Sequence, residues 1–334
     1  MEIYIVNGKL SIACAVILGL TSLNAYSKEV IRLSTYVNES DVRYDGFKKF
    51  AELAEEKSNG NIKVRIYPSS TLHGWSEGVD AVQGGVTDIS WISADNRLPC
   101  YRVSSLYPET VDLDNQLEMD AQYSKLIEAE AAKNGLVPLF NSNYSYDQEW
   151  WFNKKIENVE EFTKLQGKLV RSIGPLVSNM IEEWGGKPVF ISPKEVFQSA
   201  ERGVVDGINM GVATYSSWKL WNVMPHMVDA GLFYGNLVYM MNKDRFDSLS
   251  SSDQAALLDA AKETEQWLKP KYEQWVDARI DEAKQAGGTV LALSTPEKKA
   301  LVSTIQNKWD PELTKECGPE LSQKMKSLFT AYTL

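Results

Sequence analysis

One arginine stands apart in this sequence. Arg171 lies in KLVRS at 168–172, an otherwise apolar run that reads as a strand. A guanidinium there is costly to bury unless it is paired, and its planar fork can hold a carboxylate through two parallel hydrogen bonds. The other use of such a residue is a structural salt bridge to one of the protein's own carboxylates. Aromatic residues are the second unusual feature, with ten Trp and fifteen Tyr in 334 residues. The run YSYDQEWW at 144–151 concentrates them. There Trp150 or Trp151 either packs a hinge strand against its surroundings or supplies a flat wall to a ligand cavity.

Reaction chemistry finds few parts. The chain has no phosphate loop, no dinucleotide-type glycine fingerprint, no G-x-S-x-G and no H-E-x-x-H. Two histidines, His73 and His226, leave little for acid–base or zinc chemistry, although His73 stands beside Trp75 and is a candidate to line a cleft. Asp112 and Asp114 suggest a calcium loop, but the glycine it requires is Leu117 here. The pair Ser216 and Lys219 lacks the companion motifs of a serine hydrolase.

The elements that must position these residues follow from periodicity. Residues 30–36 read as a strand, and Tyr44, Phe47, Ala51 and Ala54 recur at steps of three and four, giving a helix that stops at Asn59-Gly60. IKVRIY at 62–67 alternates as a strand, a helix covers about 76–83, and 88–92 is a third strand. The same order returns with strands at 168–172, 188–192 and 205–210 around helices carrying Met180, Ile181 and Trp184, and Val196, Phe197 and Ala200. The two units end alike, in AVQGGVTDISWI at 81–92 and AERGVVDGINMG at 200–211. Two βαβαβ units imply parallel sheets covered by helices on both faces. Further along, 115–134 reads as a helix, 237–242 as a buried strand and 288–293 as a last strand. A long helical pattern runs over about 251–286, with Ser251 or Ser252 as N-cap and Pro270 expected to bend or divide it.

Ligands bind such lobes where the strands end at the carboxyl side. Two facing lobes would therefore gather Tyr36, Glu39, His73, Trp75, Trp91 and Ser93 from the first unit. Arg171 and the stretch from Asn209 and Met210 to Tyr215 would come from the second.

A formal charge of −10 without a Lys/Arg cluster argues against nucleic acid as a partner. Residues 10–23 form a short apolar run behind Lys9, followed by Ala25-Tyr26-Ser27, so 1–27 reads as a cleavable secretory signal. Export permits a disulfide between Cys100 and Cys317, and two separate buried thiols fit the sequence equally.

Taken with FAELAEEKSNGNIKVRIYPSSTLHG at 50–74, GKLVRSIGP at 167–175 and GGKPVFISPKEVFQSAERGVVDG at 185–207, the mature chain resembles the periplasmic substrate-binding subunits of tripartite ATP-independent periplasmic (TRAP) transporters. The resemblance implies an α/β, two-lobed periplasmic-binding-protein fold with two doubly wound sheets, crossover strands at the hinge and a long helix bracing both lobes. Lobe I is expected at 28–148 plus 237–276 and lobe II at 149–236 plus 277–334. It also implies a periplasmic monomer, not an enzyme and without cofactor or metal, that closes on a small organic anion or zwitterion. The solute is then handed to the TRAP membrane permease subunits, driven by a sodium gradient. The family's central carboxylate-gripping arginine falls on Arg171. Many relatives carry a second arginine where this chain has Gln148 and Glu149, and an asparagine where it has Met210, with Asn209 one place earlier. Fewer polar grips favour a compact monoanion or zwitterion, held by Arg171 at its anionic end, with Glu39 or Glu149 meeting an ammonium or hydroxyl. Binding of an amine or compatible solute in an aromatic-walled cleft, a secreted cleft enzyme and a periplasmic sensor partner are the rival readings.

Overall fold

The computed structural model describes residues 28–144 and 148–334. The expected signal at 1–27 and the residues Ser145, Tyr146 and Asp147 of the aromatic run lie outside the described residues.

The first unit is β1 (Glu29–Ser34), α1 (Val42–Lys57), β2 (Ile62–Tyr67), α2 (Gly78–Gln83) and β3 (Ile89–Trp91). Asp41 caps α1 by accepting from the Arg43 N–H at 3.0 Å. There follow α3 (Pro99–Ser104), β4 (Leu106–Tyr107), α4 (Gln116–Lys133), β5 (Leu136–Asn141), β6 (Gln148–Phe152) and α5 (Val159–Phe162). The second unit is β7 (Leu169–Ser172), α6 (Pro175–Glu183), β8 (Lys187–Phe190), α7 (Val196–Glu201) and β9 (Gly207–Gly211). Then come α8 (Val212–Ser217), β10 (His226–Asp229), β11 (Tyr234–Gly235), β12 (Val238–Asn242), α9 (Lys243–Asp247), α10 (Ser251–Gln285), β13 (Thr289–Ala292), α11 (Thr295–Cys317) and α12 (Pro319–Ala331).

The repeated sequence has a backbone cause. Gly85 and Gly203 sit at φ of 68° and 69°, the left-handed conformation that ends a helix. In each unit the following valine donates back into the helix, Val86 to Ala81 O and Val204 to Ser199 O, both at 2.9 Å. The aspartate then fixes the first strand of its own unit. Asp88 Oδ2 accepts from the Arg32 N–H at 2.7 Å, and Asp206 Oδ2 accepts from the Leu169 N–H at 2.9 Å. One sentence of sequence thus stops a helix and sets a strand register, twice.

Both sheets are mixed, which corrects the expectation of parallel ones. The five-stranded sheet runs β2-β1-β3-β12-β5 and the six-stranded sheet β13-β10-β6-β9-β7-β8. In the first, β12 lies antiparallel to both β3 and β5; in the second, β6 lies antiparallel to both β9 and β10. Each unit of parallel strands therefore receives one reversed strand next to its third member. β6 enters the second sheet from the first half of the chain, and β12 returns to the first sheet after the second unit. These two crossings tie the lobes together.

The long helix departs from expectation at its N-cap, and the division expected as one outcome at Pro270 is not made. Ser250 is its N-cap, accepting from the Asp253 N–H at 3.1 Å, and Pro270 leaves it as one continuous helix of 35 residues. Leu268 and Tyr272, flanking the proline, are buried, so packing holds the helix where one backbone bond is forgone. α10 packs along α1 and touches α8, β5 and β13, elements of both sheets. β13 extends the six-stranded sheet, whereas α11 and α12 pack on α3 and α4. A disulfide joins Cys100 on α3 to Cys317 at the end of α11, with Cα atoms 4.5 Å apart. Among the described residues no helix is long and apolar enough to cross a membrane.

Candidate functional site

Arg171 occupies the third position of β7, paired between Val189 of β8 and Ile208 of β9. It is 1% exposed. Its Nε donates to the Ile191 carbonyl at 3.0 Å and Nη1 to the Asn209 carbonyl at 2.6 Å. These are neutral backbone acceptors, and among the described residues no carboxylate lies within salt-bridge distance of it. Burial pulls its pKa down to about 9, and the more distant Tyr36 hydroxyl offsets this only in part. The side chain therefore remains a cation at neutral pH, desolvated and without a counter-ion among the described residues. Among those residues it makes no structural salt bridge of the kind a strand-end arginine usually makes.

The cleft that Arg171 lines draws on both lobes. The first supplies Tyr36, Trp75, Ile92, Ser93, Arg102 and Asn143; the second supplies Ile173, Pro175, Pro193, Met210 and Thr214. Gln148 from β6, and Asn236 and Leu237 just before β12, bring both crossovers to the same cavity. The cavity between its walls is small, about 70 Å³. The walls are mainly apolar, with three neutral amides and a few hydroxyls. Arg102, the other lining cation, is answered by Glu316 at 3.2 Å.

A second arginine, Arg43, lies just behind the lining. It is 1% exposed and fully paired: Nε and Nη2 reach the two Asp41 oxygens at 2.8 and 2.5 Å. Burial opposes its charge, but Asp41 and Tyr36 outweigh this and hold its pKa well above the usual value. It also donates to the Tyr36 hydroxyl at 2.7 Å, Asn143 Oδ1 at 3.0 Å and Thr214 Oγ1 at 2.7 Å. Three cleft-lining residues from separate elements thus hang on one guanidinium.

Comparison with known proteins agrees with this architecture. Residues 33–316 match the family described as bacterial extracellular solute-binding protein, family 7. The chain belongs to that family. The solute-binding protein is 24% identical over 297 residues to the 2,3-diketo-L-gulonate-binding periplasmic protein YiaO of Escherichia coli, covering 86% of this chain and 87% of that one. A TRAP periplasmic solute-binding protein from Desulfovibrio salexigens with bound orotic acid superposes with a TM-score of 0.81 at 18% identity, over 92% of this chain and all of the other. An extracytoplasmic solute receptor of Bordetella pertussis binding pyroglutamic acid gives 0.78 at 20% identity, over 90% and 99%. The expected TRAP kinship and two-lobed fold therefore hold, and the family is one of solute receptors, not enzymes.

Of the residues expected in the cleft of the solute-binding protein, Tyr36, Trp75, Ser93, Arg171 and Met210 line it, with Gly211 and Thr214 from the expected 209–215 stretch. The following are brought elsewhere. Trp91 is buried behind Trp75 and Tyr36, its indole N–H donating to the Trp75 carbonyl at 3.1 Å. His73 stacks on Trp91 at 4.3 Å, between the Gly74 carbonyl and the Ser90 hydroxyl, and burial lowers its pKa. Trp150 packs against Phe162 and Trp184 in the core, because its side chain leaves β6 on the face opposite Trp151. Trp151 stacks on Tyr215 at 3.5 Å, and the Tyr215 hydroxyl donates to the Met224 carbonyl, so both are interior supports. Asn209 offers Arg171 its carbonyl, while its side chain donates to Glu149 O at 3.1 Å. Glu149 is buried, accepts from the Ala230 N–H at 2.7 Å and lines a separate cavity with Asp229 and Lys298; its neighbour Gln148 is the one at the cleft. Glu39 is exposed and absent from the lining.

Sequence reasoning missed Arg43, Arg102, Asn143 and Asn236. The signal for the two asparagines was their place at the ends of the crossovers, in NSNYS at 141–145 and YGN at 234–236.

Proposed function

We propose that this protein is the periplasmic receptor of a TRAP transporter and captures a compact organic monocarboxylate, whose carboxylate Arg171 grips as the lobes close. The single observation carrying this is the buried Arg171 cation, which finds no carboxylate among the described residues. An anion entering the cleft restores the stabilisation that burial removed. The rest of the lining favours a small, singly charged solute. Arg102 is already paired with Glu316, and the remaining walls are apolar or neutral. Among the described lining residues a second carboxylate would meet only Arg102, whose charge Glu316 already answers. Pyroglutamate and orotate, bound by structural relatives, fit this description, while the uronates bound by others are bulkier and richer in hydroxyls. Delivery to a sodium-coupled permease, export by the 1–27 signal and action as a monomer complete the reading. The crossovers at β6 and β12 act in it as the hinge.

The test is a thermal-shift screen of the mature chain against small acids, zwitterions, sulfonates and sugar acids, repeated with Arg171→Gln. A monocarboxylate at a hundred times its Kd adds about 2.7 kcal/mol of stability. The substitution is expected to weaken binding by about 2–5 kcal/mol, or roughly thirtyfold to several thousandfold. Retention of affinity within a few-fold in Arg171→Gln removes the anchor from this account. Recovery of the bound solute unchanged by mass spectrometry separates a receptor from a cleft enzyme.

A further inference from the structure

Arg43 stands behind the cleft wall, yet it decides what that wall offers a solute. A guanidinium has five N–H hydrogens and no acceptor. Here all five are spent: Nε and Nη2 on the Asp41 carboxylate, Nη2 also on Thr214 Oγ1 at 2.7 Å, and Nη1 on Tyr36 Oη at 2.7 Å and Asn143 Oδ1 at 3.0 Å. Arg43 is 1% exposed and absent from the lining, whereas Tyr36, Asn143 and Thr214 belong to it. Each of these three side chains can give or take a hydrogen bond. Facing a group that only donates, each presents its oxygen to Arg43 and turns its own hydrogen elsewhere.

Asn143 shows the consequence most directly. Its amide oxygen faces Arg43 behind the wall, so its NH₂ takes the opposite edge, the one the cavity meets. The residue is half-buried, and its Nδ2 has no acceptor among the described residues and is not one of their sealed polar atoms. Asn141 holds it in place, accepting its N–H at 2.9 Å and donating to its carbonyl at 2.7 Å. The other side chains of the wall lean the same way. Arg171 and Arg102 only donate, as does the Trp75 indole. The Ser105 hydroxyl can do either, Gln148 has a partner of its own, and the Asn236 amide oxygen is sealed off from the cavity. Among these side chains only Ser93 is fixed as an acceptor, since its proton goes to the Trp75 carbonyl at 3.1 Å.

We infer that the solute carries, besides its carboxylate, an oxygen that only accepts, and that the Asn143 NH₂ donates to it with the Thr214 hydroxyl in support. The ligand class is then a small monocarboxylate bearing a ketone or ether oxygen. A solute that brings an ammonium to the same place sets donor against donor and is refused. Asn143 is the specificity-determining residue, and Arg43 is a positioning residue that acts through it. This inference rests on the reading of Arg171 as carboxylate anchor and adds a second, neutral point of recognition with a fixed polarity.

The test uses pairs of acids of one shape that differ in the acceptor alone: pyruvate against methacrylate, in which a methylidene carbon replaces the keto oxygen; levulinate against its methylidene isostere; and tetrahydrofuran carboxylate against cyclopentane carboxylate. Calorimetry on the mature wild-type chain is expected to favour the oxygen-bearing member of at least one pair by about tenfold or more, because the isostere leaves the wall's donors unpaired. Alanine should bind more weakly than pyruvate. In the discriminating pair Asn143→Leu should cut the ratio at least about threefold, and Arg43→Met should cut it as well, because the amide is then free to turn. A merely structural role for either residue would weaken both members alike and leave the ratio standing. A wild-type ratio below about tenfold in every bound pair, tighter binding of alanine than of pyruvate, or a smaller cut in Asn143→Leu overturns the inference while leaving Arg171 in place. The wild-type comparison decides even if a variant fails to fold. If no acid of any pair binds, or binding is indifferent to Arg171→Gln, the anchor reading itself fails and this inference falls with it.

Discussion

Replacing Arg43 with methionine tests whether the cleft is held together by one buried ion pair. The side chains of Arg43 and Asp41 are each 1% exposed, and two bonds of 2.8 and 2.5 Å join them. Arg43→Met keeps an unbranched chain of similar girth but strands the Asp41 carboxylate inside the protein. Removing one partner of a buried pair costs about 3–5 kcal/mol, because the remaining charge is left desolvated. Asp41 keeps its contact with the Arg43 N–H, which places the expected loss toward the lower figure. The double variant Asp41→Asn, Arg43→Met removes the stranded charge and is expected to recover at least half of that loss. Affinity should not recover with stability, because Tyr36, Asn143 and Thr214 have lost the group that aligned them in both variants. Urea unfolding followed by tryptophan fluorescence gives the stability arm, and calorimetry with the best acid from the screen gives the affinity arm. A cost below about 1 kcal/mol for the single variant, or a double variant no more stable than the single one, refutes the ion-pair reasoning. Affinity that returns in parallel with stability refutes the alignment role.

Burial, reinforced by Asp120 and opposed by the Asn141 N–H, pushes the Glu265 carboxyl up to about 8. A folded pKa above the unfolded one means that the native state holds the extra proton, so stability is greatest at low pH and declines from about 4.5 to about 8, at up to roughly 1.4 kcal/mol per unit. Glu265→Gln should flatten that slope in urea titrations across this range; an unchanged slope assigns it to other groups. Reducing Cys100–Cys317, which closes a separation of 217 residues, should lower stability by about 2–4 kcal/mol, measured by unfolding with and without dithiothreitol. It should also weaken binding modestly, because α3 carries Arg102 to the cleft. Trp75→Ala should reduce solute affinity at least about tenfold, whereas Trp150→Phe should cost about 1–2 kcal/mol of stability and leave affinity unchanged. The reverse pattern in paired melting and calorimetric measurements would return Trp150 to the cavity wall.

What could be read from the chain is what its backbone requires. The βαβαβ units were legible because alternation at 62–67 and the Gly-Val-x-Asp endings perform local work: a left-handed glycine ends a helix, and an aspartate caps a neighbouring strand. Arg171 was legible for a related reason, since a cation in an apolar strand is anomalous wherever that strand goes. The reversed strands were harder. β5 contains Pro138, which speaks against a strand and is tolerated at a sheet edge beside a register shift. β6 reads as an aromatic cluster, and nothing local says which of Gln148, Glu149, Trp150 and Trp151 turns to the cleft. One residue of offset decides between ligand wall and core, so the expectation fell on Glu149 and Trp150 where the structure uses Gln148. The asparagines carry still less signal. Asn236 is an ordinary loop residue until β12 returns to the first sheet and sets it beside a cavity that Arg171 reaches from the other. Asp120, 116 positions away, sets the direction of its amide. Charge is a property of a residue and survives in the sequence. The orientation of a neutral group is a property of its neighbours, and here those neighbours meet only after both crossings of the hinge have been made.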